Sequence, residues 1–95
     1  MAVVHAVAAI VLGNETVAFD EHAIKRMKER GITEGQVLAT LQKPDLTGLR
    51  ADPGRQRCRR HYGAHHSVDV VYEEEASRIV VISAIRVKRK EGGKK

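Results

Sequence analysis

The spacing of apolar residues changes along the chain, and each change marks an element. Residues 1–12 (MAVVHAVAAIVL) are apolar almost without interruption, and Gly13-Asn14 separates them from Thr16-Val17-Ala18-Phe19. The Val and Ile content favours one strand or a hairpin about the Gly-Asn turn, while Ala2, Ala6, Ala8 and Ala9 suit a helix equally well. From Asp20 the period becomes helical. Asp20 is a suitable N-cap for a helix over 21–30, with Glu21 in its first turn, Lys28 and Arg30 in its last and Gly31 as a left-handed stop. Ala23, Ile24 and Met27 share the apolar side, and His22, Arg26 and Arg30 fall at i, i+4 and i+8 on a bordering stripe. Thr33-Glu34-Gly35-Gln36 has the capping-box pattern. With Val37, Leu38 and Leu41 it predicts a second short helix, ended by Lys43-Pro44.

Beyond Pro44 the period is two. Arg55–Tyr62, Val68–Tyr72 and Ile79–Arg86 read as strands, joined by Gly63-Ala64-His65-His66 and by Glu73-Glu74-Glu75-Ala76-Ser77. The last of them is apolar on both faces and is expected at the centre of the sheet. Segment 46–54, with Gly48, Pro53 and Gly54, reads as a loop or short edge strand. The expected fold is α+β: a β element, two helices, then an antiparallel sheet of three to four strands with the helices on one side. A single domain over 1–90 accounts for the pattern, and 91–95 reads as a basic, fraying tail.

Composition narrows the function classes. At 95 residues there is room for one core, and 42% hydrophobic with 31% charged residues is ordinary globular usage. The first twelve residues resemble a secretory h-region, but no Lys or Arg precedes them and they are too short to span a bilayer. The single cysteine, Cys58, forms no intrachain disulfide and reads as a half-buried strand residue, so a cytoplasmic location is expected. Lys+Arg number 17 against 12 Asp+Glu, a formal charge of +5 that favours a polyanionic partner. The excess is local: Arg50, Arg55, Arg57, Arg59 and Arg60 face only Asp52 within 50–66, and a basic run begins at Arg86. Aromatics are 3%, too few for a protein that stacks successive bases, so arginine and lysine are expected to carry any nucleic-acid contact.

The run His22-Ala23-x-x-Arg26-Met27-x-x-Arg30-Gly31-Ile32-Thr33, then Lys43-Pro44-Asp45, Val70-Val71-Tyr72 and Ile79-Val80-Val81-Ile82-Ser83-Ala84, resembles domain-of-unknown-function family 4258 over residues 19–86. That family is similar to the RelE and BrnT toxins, within the barnase, colicin and RelE nuclease group. The resemblance implies a compact helix-plus-sheet domain that cleaves RNA without a metal or cofactor, and an acidic antitoxin protein as a possible partner. By the same resemblance Ser83 lies in the cleft, with Arg86 near its end. An aromatic that relatives often carry shortly after this Ser/Thr is replaced here by Ile85, so no catalytic Tyr is evident.

Metal-free RNA cleavage needs a base for the 2′-hydroxyl proton, cations for the phosphate and an acid for the departing 5′-oxygen. His22 suits either proton role, its ordinary pKa being about 6.5. Arg26, Arg30, Arg57, Arg59 and Arg86 are the expected phosphate ligands. Arg57, Arg59 and His61 share one face of their strand, and Cys58, Arg60 and Tyr62 the other. Only one row can line the cleft; if the Cys58 row packs inward, Arg60 goes with it, towards His22. His22, Arg60 and Ser83 are thus the catalytic candidates. Plainer roles also exist: solvated helix charges for His22, Arg26 and Arg30, a solvated edge strand for 55–60, and a core hydroxyl for Ser83. His61, His65, His66 and Asp69 invite a metal reading, but adjacent His65 and His66 point apart on a strand and no structural zinc spacing is present. The competing function class is a non-catalytic module, on the same scaffold, that binds nucleic acid or a protein partner.

Overall fold

The computed structural model describes residues 6–12, 15–75 and 78–88. The chain forms β1 (Ala6–Leu12), β2 (Glu15–Asp20), α1 (Glu21–Arg30), α2 (Glu34–Gln42), β3 (Gln56–Tyr62), β4 (His66–Glu75) and β5 (Arg78–Lys88). This is an α+β fold. The Gly13-Asn14 turn, the Ala76-Ser77 turn and the 91–95 tail lie outside the described residues.

The sheet order is β1-β2-β5-β4-β3. The three C-terminal strands make the expected antiparallel meander, and the β1/β2 hairpin adds to the free side of β5 with β2 parallel to it, Thr16 opposite Arg78 through Phe19 opposite Val81. The sheet is therefore mixed and five-stranded. Glu73, Glu74 and Glu75, expected in a turn, continue β4 opposite Val80, Ile79 and Arg78. They do so because Arg55 takes Glu73, Gln56 takes Glu74 and Arg78 takes Glu75, so each carboxylate has a partner along the ladder.

Both helices begin and end where their caps dictate. Asp20 accepts from the His22 amide, Gly31 closes α1 at φ 67°, and Thr33 and Gln36 exchange side-chain and backbone hydrogen bonds at the start of α2. Ala23 and Met27 of α1 and Val37 of α2 are buried against Val17, Phe19, Cys58, Val68, Val70, Val81 and Ala84, which all point to one sheet face. Each fully buried side chain such as Phe19 or Val81 contributes about 2 kcal/mol. The outer face carries a smaller cluster of Ala18, Val80 and Ile82 with Val71.

One irregularity sets the site. Val71 pairs with Ser83 but Tyr72 pairs with Val81, so Ile82 is an extra residue in β5. This bulge lets Val81 and Ala84, three apart, both face the helices, and it leaves Ile82 and Ser83 together on the outer side.

Candidate phosphate-binding groove

β2 leaves β5 after the Phe19–Val81 pair, and α1 takes its place beside the continuing edge of β5. Arg30 donates to the Ala84 carbonyl at 2.8 Å and Arg86 to the Gly31 carbonyl at 2.9 Å, tying the two together. Because α1 lies along an edge, Arg26 reaches the outer face. There Val71, Ile82 and Ser83 floor a groove of about 350 Å³, walled by Arg50, Ala51, Asp52, Arg55 and Arg57.

The far wall comes from the 46–54 segment, expected as a loop or short edge strand and found as a loop joined to β3 by one isolated bridge at Leu46. Leu46 and Arg59 exchange backbone hydrogen bonds and the Leu49 amide donates to the Arg57 carbonyl, which holds the segment against β3. The chain then turns through Asp52, whose carbonyl accepts from the Arg55 amide. Arg50 is thereby carried over the groove.

Charge is distributed unequally among these arginines. Arg55 donates to Glu73 at 3.2 Å and lies 4.0 Å from Asp52. Arg57 and Arg59 both bind Asp69, which is fully buried. Arg57 directs Nε and Nη2 at Oδ2, at 2.7 and 2.6 Å, while Arg59 takes Oδ1 at 2.5 Å through Nε and Oδ2 at 3.0 Å through Nη2. The hydrogen bond that Arg59 donates to Asp69 raises the Arg59 pKa above its ordinary range, and the carboxylate charge adds to it against the cost of burial. Among the described residues, Arg26 and Arg50 pair with no carboxylate.

The register settles which row of β3 packs inward. Cys58 is buried under α2, so Arg57, Arg59 and His61 occupy the outer face, where they are half-buried. Arg60 points to the helix side, but its guanidinium donates to the Lys43 carbonyl at 2.8 Å and lies 5.7 Å from the Tyr62 ring centroid. It lines a separate hollow with Ala39, Gln42 and Lys43 at the end of α2. His22 is exposed one turn before Arg26 on α1, and its amide donates to Asp20. Of the candidates, the groove gathers Ser83, Arg26 and Arg57. Arg59 stands next to it, Arg30 and Arg86 sit together at the end of α1, and His22 and Arg60 lie elsewhere.

Arg50 and Arg55 join the groove in addition to the phosphate ligands expected from the sequence. The parity of Arg55, Arg57 and Arg59 was the available signal, since residues two apart share a strand face. His61 places Nδ1 2.7 Å from the Ser67 hydroxyl across the ladder, and its amide donates to Asp45. Burial pushes the Cys58 thiol up to about 11, with the negative charge of Asp69 adding to the effect, so the thiol is a packed neutral group. Among the described residues no group of three or more His, Cys, Asp or Glu side chains is placed to hold a metal ion, and no helix is long and apolar enough to cross a membrane.

A small α+β domain with an arginine-lined groove on its outer sheet face is the class of protein these features define. The chain belongs to the family described as domain of unknown function DUF4258, whose model matches residues 19–86. No match was found among curated proteins or solved structures.

Proposed function

We propose that the domain binds RNA by its phosphates in this groove and cleaves it without a metal, as a toxin-like ribonuclease acting in the cytoplasm. The observation that carries the proposal is the convergence of Arg26, Arg50, Arg55 and Arg57 around Ser83, with only Asp52 opposing them in the lining. Two of those guanidiniums, Arg26 and Arg50, meet no carboxylate among the described residues and are set to take phosphate oxygens. The RelE- and BrnT-like resemblance supplies the reaction: attack of a 2′-hydroxyl on the adjacent phosphate, with the developing charge held by arginine and the proton taken by a side-chain base. It also supplies a partner, an acidic antitoxin segment that would compete with RNA for the same cations.

Binding without cleavage is favoured by one observation: among the described residues, no histidine lines the groove. The two are separated by incubating purified protein with mixed RNA and a chelator. Products ending in 2′,3′-cyclic phosphate are the result expected of the ribonuclease. Intact RNA, with binding that weakens steeply between 50 and 200 mM salt, is the result expected of a binding module. Intact RNA with no salt-dependent binding overturns both.

A further inference from the structure

We propose that His61, rather than the helix-borne His22, is the proton-transfer group, acting on an RNA phosphodiester held at Arg59 on the outer sheet face. This rests on the ribonuclease reading and moves its chemistry to the next two residues along β3. His61, Arg59 and Arg57 alternate on one strand face, about 7 Å apart in succession, opposite Ser67, Asp69 and Val71. An RNA strand anchored in the groove at Arg57 and continuing along β3 meets Arg59 and then His61.

The local geometry is that of a prepared site. Asp69 is fully buried and engages the Nε and Nη2 groups of both arginines, which fixes the two guanidinium planes and leaves N–H groups on their opposite edges for phosphate. The His61 ring is held at Nδ1 by Ser67, 1% exposed, whose hydroxyl both donates and accepts. The same contact therefore orients the imidazole whether or not Nδ1 carries the hydrogen, and Nε2 is presented as either base or acid. The backbone beneath is pinned by the bond from the His61 amide to Asp45 at 2.8 Å. Among the described residues His22 has no comparable anchor: it is exposed in the first turn of α1, and Asp20 holds its backbone amide rather than its ring. Proton transfer depends on such fixed placement.

In the step, Nε2 of His61 takes the 2′-hydroxyl proton as the 2′-oxygen forms its bond to phosphorus. The bond from phosphorus to the 5′-oxygen breaks, that oxygen takes a proton from water, and the imidazolium returns its proton to the hydroxide left behind. Arg59 carries the charge that develops on the phosphorus oxygens.

The test compares wild type, His61→Asn and His22→Ala on a short single-stranded RNA in chelator, with cleavage rate and RNA affinity measured separately and folding checked by thermal melting. Asn keeps an amide within reach of Ser67. The expected result is a fall in cleavage of about 100-fold or more in His61→Asn, with affinity within threefold of wild type, and a fall in cleavage larger than that of His22→Ala. Undiminished cleavage in His61→Asn, or a loss of affinity as large as the loss of rate, overturns the assignment while the ribonuclease reading stands. If wild type does not cleave, both fall, and the affinity measurement alone decides whether the groove binds RNA.

Discussion

Arg59 and Asp69 face each other across the β3 and β4 ladder, and the buried carboxylate accepts from the arginine at 2.5 Å and 3.0 Å. The pair, shared with Arg57, ties β3 to β4 on the outer face of the sheet. Removing the carboxylate strands two cations, but each arginine side chain is about a quarter exposed and turns to water. Asp69→Ala is expected to cost about 3 kcal/mol, at the low end for a broken buried pair, and Asp69→Asn less. Urea unfolding measures it; an unchanged midpoint would show that Asp69 does not hold this face together.

Arg26 and Arg50 are expected to behave differently from Arg57. Neither has a described carboxylate partner, so alanine at either position leaves stability within about 0.5 kcal/mol. Each substitution should reduce the slope of log affinity for single-stranded RNA against log salt by about 0.7. Arg57→Ala should lower both affinity and stability, because it also breaks the Asp69 cluster. A salt titration of the three variants separates the cases.

Cys58 carries a pH prediction. Its thiol stands at about 11 in the folded chain against 9.0 ordinarily, because burial, and then Asp69, disfavour the thiolate. Above pH 9 the unfolded chain loses this proton while the folded chain keeps it, so stability falls as pH rises through that interval, by at most about 2 to 3 kcal/mol. Alkylation of the folded protein at pH 8 should be slow and should follow unfolding. Prompt labelling under native conditions would contradict the packed, neutral thiol.

Under α2, the Tyr62 hydroxyl donates to the Gln36 carbonyl at 2.8 Å, and the Thr40 hydroxyl donates to the same atom at 2.7 Å. Tyr62→Phe and Thr40→Val are each expected to cost about 1 kcal/mol. Because they share an acceptor, the double variant should lose less than the sum. A double-mutant cycle by chemical denaturation gives the coupling directly.

The helices were legible because their limits are written locally: Asp20, Gly31 and the Thr33 and Gln36 pair each act within four residues of the backbone groups they satisfy, and Pro44 bars the helix from continuing past Lys43. Strand alternation likewise separated the Cys58 row from the Arg57 row. What could not be read depends on register between strands. Asp69 lies ten residues from Arg59, and nothing local says that it neutralises two arginines that look uncompensated in the sequence. The extra residue at Ile82 follows from the mismatch between Val71–Ser83 and Tyr72–Val81, which alternation within β5 alone does not contain. Arg50 enters the groove only because Leu46 and Leu49 bind the β3 backbone.

The parallel pairing of β2 with β5 bears on how the chain is made. Thr16 meets Arg78 about 60 residues later, and both helices and two strands lie between them. During synthesis Val17 and Phe19 emerge long before the strand that completes their sheet. The middle of the sheet must close last, across the longest loop, and until then the hairpin is a sticky edge in need of shelter. A nascent chain halted before Arg78 is therefore expected to be a client for chaperones or proteases, whatever helices it has already formed.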